Sequence, residues 1–168
     1  MDPVISDAEY QDKVLPHVSR TFALTIPQLP AALRIPVTNA YLLCRIADTI
    51  EDEPALSPTE TLAFMQRFMG ALAGRGDPQA LGFELAKRLS DRTLPTERDL
   101  VSNLQRVINV TAGLNTPQRA AIHLVHPFAV GALAKTQLGH VAEDLGRGHR
   151  LARQGTERGD RILERLVH

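Results

Sequence analysis

The sequence predicts an all-α protein. Helix start and stop signals follow one another along the chain, and no run of alternating apolar and polar residues is long enough to form a strand. A length of 168 residues suits a single domain spanning the whole chain. Lysine plus arginine and aspartate plus glutamate number 19 each, so the net charge is zero and no overall field attracts nucleic acid or an anionic membrane. Any anion-binding site must therefore be local.

The first third of the chain contains three predicted helices. The first covers residues 6–18 and the short second one covers residues 19–26. Three prolines then interrupt the chain, the last of them Pro36, and a proline inside a helix removes a backbone hydrogen bond. We therefore expect the third helix to begin at position 37 and to end near position 53.

Capping signals mark the helices that follow. Residues 57–60 read SPTE, a capping box with proline at the first helical position, and this helix should end at the glycines near position 75. Asp77, followed by proline, opens another helix. Thr96 is predicted to cap a stretch with helical apolar spacing that extends to position 108, and Thr116 begins the next helix. Beyond position 124, glycines interrupt the pattern and arginine becomes dense.

The third helix carries the polar residues that point to chemistry. Tyr41, Arg45, Asp48 and Asp52 recur at i, i+4, i+7 and i+11 and form one stripe along the helix. The other faces are apolar and comprise Leu42, Leu43, Cys44, Ile46, Ala47 and Ile50. This pattern predicts a buried helix, including a buried Cys44, with one polar line that faces a cavity.

An acidic cluster ends this helix. Asp48, Glu51, Asp52 and Glu53 lie where the helix dipole disfavours negative charge by ~0.3–1 kcal/mol per group, so a cation should offset them. Magnesium ions take one or two protein carboxylates and complete their octahedron with phosphate and water oxygens. Arg45, one turn earlier, can hold the same phosphate. The alternative is a solvated helix end in which Arg45 pairs with Asp48.

Two stretches that contain these residues resemble a known family. Residues 18–30 read VSRTFALTIPQLP and residues 40–52 read AYLLCRIADTIED. The first is similar to the amino-terminal Ser-Arg-Ser/Thr-Phe segment of the squalene/phytoene synthase family, the head-to-head prenyl synthases. The second is similar to the first aspartate-rich motif of that family, with its upstream tyrosine and arginine. The likeness continues weakly to residue 123.

The resemblance implies a helical isoprenoid-synthase bundle, here incomplete, around a central cavity. It implies that two allylic diphosphates, farnesyl or geranylgeranyl, bind through Mg²⁺ and that one ionises and is attacked by the alkene of the other. Squalene-forming members add a hydride from NADPH. By position, Asp48 and Asp52 would bind Mg²⁺ with Glu51 in support. The catalytic residues so implied are Tyr41, Arg45, Asp48 and Asp52, and the substrate-binding residues are Ser19, Arg20, Phe22 and Arg45.

Residues 135–149, KTQLGHVAEDLGRGH, resemble the second aspartate-rich motif of the family. By position, Glu143 and Asp144 would be metal ligands and Arg147 would bind substrate. His140 stands near the leading aspartate of the motif, although Mg²⁺ prefers oxygen ligands to nitrogen.

The middle block of the family has no counterpart between residues 123 and 128, so the two metal motifs lie close together in sequence. We expect a cytoplasmic prenyltransferase with prenyl diphosphate as its partner and no nucleic acid, and the sequence leaves peripheral membrane contact and oligomeric state open. One alternative is an inactive remnant, or a diphosphate-binding helical protein without a complete second metal site. Another is a helical interaction module with no ligand.

Overall fold

The computed structural model describes residues 5–123, and these residues confirm the all-α fold. The helices are α1 (Asp7–Val18), α2 (Arg20–Thr25), α3 (Ala31–Asp52), α4 (Pro58–Leu72), α5 (Pro78–Arg88), α6 (Pro95–Ser102) and α7 (Leu104–Gly113). A 3₁₀ turn, Ile26–Gln28, follows α2, and a further helix begins at residue 116. The residues up to Ala120 form one compact unit, and a second unit begins at Ala121. Within residues 5–123, no helix has the length and apolar character needed to cross a bilayer.

Local capping explains where α1 and α4 begin. The Ser6 hydroxyl accepts the Glu9 backbone N–H at 3.2 Å, and the Ser6 N–H donates to the Glu9 carboxylate at 2.7 Å. Ser57 and Glu60 form the same reciprocal pair at the start of α4. Each box satisfies backbone donors that have no partner inside the helix. Both predicted helix starts are confirmed.

Helix α3 begins six residues earlier than predicted, at Ala31, and contains Pro36 in its second turn. Because Pro36 has no N–H, the carbonyl of Ala32 loses its usual helical donor. The side-chain amide of Gln118 donates to that carbonyl at 3.3 Å and replaces the lost bond. The predicted start at Val37 was therefore wrong as a helix boundary, but it marks the point where α3 enters the core.

Helices α6 and α7 replace the single helical stretch predicted for residues 96–108. Pro95 takes the first position of α6, so Thr96 lies in the first turn and is not the cap, as we had predicted. Asn103 separates α6 from α7, and its side chain donates to the Asp99 carbonyl at 2.9 Å. Such a local bond competes with the helical backbone and favours a break.

A buried polar network joins α1, α3 and α7. The Asn39 side chain is fully buried and donates to the Gln11 side chain at 2.7 Å and to the Val107 carbonyl at 2.8 Å. The Thr111 hydroxyl donates to the side-chain oxygen (Oδ1) of Asn39 at 2.8 Å. Buried polar groups need such partners, so the network permits only one axial position of α3 against its two neighbours.

Candidate functional site

Helix α3 buries one side in the bundle and exposes a stripe on the other. Cys44, Asp48 and Asp52 follow each other at four-residue spacing and are exposed, while Tyr41 and Arg45 are half-buried. The positions buried in the core are Leu42, Leu43, Ile46, Ala47 and Ile50. The predicted polar stripe is present. Cys44 is exposed, contrary to prediction, because its spacing places it on the face of the two aspartates.

A cleft of about 150 Å³ lies beside the carboxyl end of α3. Its lining residues are Arg45, Asp48, Thr49, Asp52, Glu53, Pro54, Arg92, Thr93 and Glu97. They come from the last turns of α3 and the two residues that follow it, the loop before α6, and the first turn of α6. Pockets that enclose a drug-sized ligand measure roughly 300–1,000 Å³, so this cleft has room for ions and a charged head group but not for a prenyl chain.

Arg45 forms an ion pair across the cleft with Glu97 of α6. The Glu97 side chain is only 13% exposed and that of Arg45 is 34% exposed. The Nε of Arg45 is buried and makes no hydrogen bond to any of the residues that the structure describes. Sequence reasoning offered a phosphate or Asp48 as partners of Arg45 and missed Glu97. Pro95, two positions before Glu97, signals the start of a helix. It does not indicate that this helix would pack beside α3.

Glu53 has a structural role at the edge of the cleft. The Thr93 hydroxyl donates to its carboxylate at 2.6 Å, and the Ala55 backbone N–H donates to the other oxygen at 2.9 Å. Burial alone would raise the pKa of Glu53, but these hydrogen bonds outweigh it and hold the pKa below its ordinary value. Glu53 therefore ties the loop before α6 to the end of α3.

Two other carboxyl groups of the acidic cluster, those of Asp48 and Glu51, have raised pKa values. Crowding by protein atoms raises the pKa of Asp48, the Arg45 charge opposes this shift, and the Asp52 charge adds to it. Desolvation also raises the pKa of Glu51, and the charges of Asp52 and Asp48 increase the effect. A cation held between these groups would relieve both the desolvation and the repulsion.

The donor set fits a magnesium ion that is shared with a phosphate ligand. Within residues 5–123, no group of three histidine, cysteine, aspartate or glutamate side chains converges as a metal cage. Asp48 and Asp52 instead offer two hard oxygen donors one turn apart on the cleft wall, and Mg²⁺ commonly takes one or two carboxylates and leaves its other positions to phosphate and water. Glu51 does not line the cleft.

The other predicted site residues form a separate cluster beside α3. Ser19 caps α2, where its hydroxyl accepts the Phe22 N–H at 3.2 Å. The rings of Phe22 and Tyr41 lie 4.3 Å apart between centroids, and the Tyr41 hydroxyl donates to the Val18 carbonyl at 3.3 Å. Arg20 is exposed at the start of α2. None of the four predicted residues lines the cleft that contains Arg45 and the two aspartates.

The second predicted motif lies outside the described residues. This applies to the predicted metal ligands Glu143 and Asp144, to His140, and to the predicted substrate-binding residue Arg147. Their roles stay predictions from sequence.

A family of known proteins matches most of the chain. A family model described as squalene/phytoene synthase matches residues 15–147. Squalene synthase BSS of Botryococcus braunii is 37% identical over 73 residues, which is 44% of this chain and 16% of that protein. Squalene synthase LSS of the same organism is 43% identical over 56 residues, covering 33% of this chain and 12% of the relative. Squalene synthase of Solanum lycopersicum is 49% identical over 47 residues, which is 28% of this chain and 11% of that protein.

The chain thus spans less than a fifth of the length of these curated relatives. No solved structure matches it significantly.

Proposed function

Because the chain belongs to the squalene/phytoene synthase family, we propose that it is a Mg²⁺-dependent prenyltransferase that joins two allylic diphosphates head to head. The substrates would be farnesyl or geranylgeranyl diphosphate. The observation that carries the proposal is the grouping of Arg45, Asp48 and Asp52 on one cleft at the end of α3. This grouping combines a phosphate-binding guanidinium group with two hard oxygen donors.

The charge of the cleft supports a requirement for metal. Four carboxylates and two guanidinium groups line it, so the lining is net negative and would repel a bare diphosphate. Asp48 and Asp52 would hold Mg²⁺, with Glu51 in support from the adjacent face. When bound, the metal would offset the charge that develops on the departing diphosphate.

The chain's own residues would bind and shield the substrate. Arg45, with Arg92 beside it on the cleft, would orient the diphosphate, and Arg20 would add a third cation from the start of α2. Phe22 and Tyr41, whose rings pack together, would supply an apolar wall beside the allylic carbon. Such a wall excludes water, which would otherwise capture the allylic cation.

The second predicted motif has proposed roles of its own, which rest on the sequence alone. We propose Glu143 and Asp144 as its metal ligands and Arg147 as a further diphosphate contact. NADPH would be needed only if the product is squalene, because that product requires a hydride.

A second candidate function is diphosphate binding without turnover, in an inactive remnant of the family. The cleft at the end of α3 favours it, because a volume of about 150 Å³ admits a charged head group but not a prenyl chain. Head-to-head condensation needs two diphosphate subsites, and the cleft described above supplies one.

A thermal-shift experiment tests the site. With Mg²⁺ and an unreactive farnesyl diphosphate analogue at 100 times the Kd, a native-state ligand adds about 2.7 kcal/mol to the free energy of unfolding, or about 5–10 °C in Tm for a chain of this size. Asp52→Asn should abolish the shift. The control, Asp12→Asn on the exposed face of α1, should keep it. An equal shift in the Asp52 variant would remove this residue from the site, and no shift in the wild type would refute the proposal.

Product analysis separates the two candidate functions. Incubation with farnesyl diphosphate, Mg²⁺ and NADPH should yield a C30 product if the chain is a synthase. Binding without a C30 product would establish the second candidate instead.

A further inference from the structure

The first turn of α6 holds Glu97 in a fixed position. Arg98, the next residue, donates to the carbonyl of Leu89 at 3.1 Å and so ties α6 to the end of α5. Asp99 accepts the hydroxyl of Tyr10 at 2.9 Å, which ties α6 to α1. Glu97 directly precedes these two anchors in the same turn, and the positive end of the α6 dipole stabilises its negative charge. The carboxylate of Glu97 is therefore a permanent feature of the cleft wall.

Glu97 cancels the charge of the guanidinium group that faces the aspartates. The carboxylate of Glu97 forms an ion pair with the guanidinium group of Arg45. The buried Nε of Arg45 has no hydrogen-bond partner among the described residues. An incoming anion therefore meets a neutral pair at Arg45 and the negative charges of Asp48 and Asp52 beside it. The other guanidinium group of the lining, that of Arg92, is outnumbered by these carboxylates. A bare phosphate that bound Arg45 would lie close to the Glu97 carboxylate and be repelled by it, whereas a metal-complexed diphosphate brings positive charge of its own.

We infer that Glu97 is a specificity-determining residue that makes the cleft accept metal-complexed diphosphate and reject the metal-free anion. This inference rests on the proposed function, because it concerns the same diphosphate site. It assigns the selectivity to a side chain opposite the aspartate-rich motif, on a different helix. Removal of the Glu97 charge should free Arg45 for a metal-free anion and reduce the repulsion that this anion experiences.

Calorimetric titration with inorganic diphosphate, in excess chelator and in Mg²⁺, measures this selectivity directly. Glu97→Gln keeps the size of the side chain and an acceptor for Arg45 but removes the charge. Glu97→Asp keeps the charge. Glu84→Gln removes one charge from an exposed ion pair with Arg67 that does not line the cleft, and so controls for the change in net charge.

The expected result is a metal-free affinity that rises by about tenfold or more in Glu97→Gln, with a smaller change in Mg²⁺. Glu97→Asp and Glu84→Gln should keep the wild-type ratio of the metal-free affinity to the affinity in Mg²⁺. If circular dichroism shows that the glutamine variant is unfolded, Glu97→Met, which is also neutral, takes its place.

Two outcomes would overturn the inference while leaving the proposed function intact. One is a metal-free affinity in the neutral variants that matches Glu84→Gln. The other is weaker binding in both conditions, which would show that Glu97 orients Arg45 for its phosphate contact. A wild-type protein that does not bind diphosphate even with Mg²⁺ would refute the proposed function, and this inference with it.

Discussion

Gly82 lies where α5 packs against α6 and α7, and its replacement by alanine tests that packing. A Cβ at this position would lie 2.6 Å from the carbonyl oxygen of Val101 and 3.2 Å from the Cβ of Leu104. Neither atom belongs to a flexible side-chain end, so the helices themselves would have to move apart. Alanine normally stabilises a helix interior by about 0.5–1 kcal/mol relative to glycine, whereas overpacking a core costs about 1–3 kcal/mol.

We therefore expect Gly82→Ala to lower the free energy of unfolding by about 1–2 kcal/mol, or Tm by about 2–8 °C for a chain of this size. Urea unfolding followed by circular dichroism measures the change. Gly70→Ala in α4 is the matched control, because its Cβ would meet nothing closer than 3.6 Å. The control should be neutral or slightly stabilised. A Gly82 variant as stable as the wild type would refute the close packing of α5 on α6.

Two further predictions concern α1 and α3. Asn39→Leu should lower the free energy of unfolding by about 1–3 kcal/mol in urea titrations, because the buried side-chain oxygen of Gln11 would lose its amide donor. The hydroxyl of Thr111 would keep its bond to the Val107 carbonyl. An unchanged stability would contradict the network. Partial burial would raise the pKa of Asp7, but hydrogen bonds from Arg106 and Asn109 outweigh this effect and lower the pKa. The Asp7 carboxylate therefore stabilises the fold above about pH 4–5, and this stabilisation is lost as the pH falls further. The urea midpoints of wild type and Asp7→Asn should converge on acidification, while Asp12→Asn tracks the wild type; a constant difference would show that the Asp7 charge is not involved.

Local signals in the sequence were sufficient for much of the fold. The box formed by Ser57 and Glu60 located the start of α4, because its donors and acceptors all lie within one turn. Gly74 and Gly76 ended that helix with positive φ angles of 74° and 87°, which glycine adopts without strain. The four-residue spacing of Asp48 and Asp52 likewise predicted that both lie on one face of α3, because helical periodicity depends only on neighbouring residues.

Contacts between distant residues could not be predicted in this way. The boundary at Pro36 was misplaced because the compensating donor, Gln118, lies 86 residues away. The partner of Arg45 was missed because Glu97 is 52 residues away and has no feature that distinguishes it from an ordinary acid in a first helical turn. In both cases tertiary packing supplied the partner, and periodicity and capping rules carry no information about which helices meet.

The exposed thiol of Cys44 provides a natural attachment point for a spectroscopic probe. The chain has a single cysteine, so a fluorophore or spin label would attach one helical turn from Asp48 without any engineering. Crowding by neighbouring atoms, and then the Asp48 charge, raise the pKa of the thiol to about 11, so the reactive thiolate is scarce at neutral pH and labelling calls for alkaline buffer. A label at this position would convert ion binding at the aspartates into an optical or magnetic signal, and its rate of attachment would itself report on the local electrostatic potential.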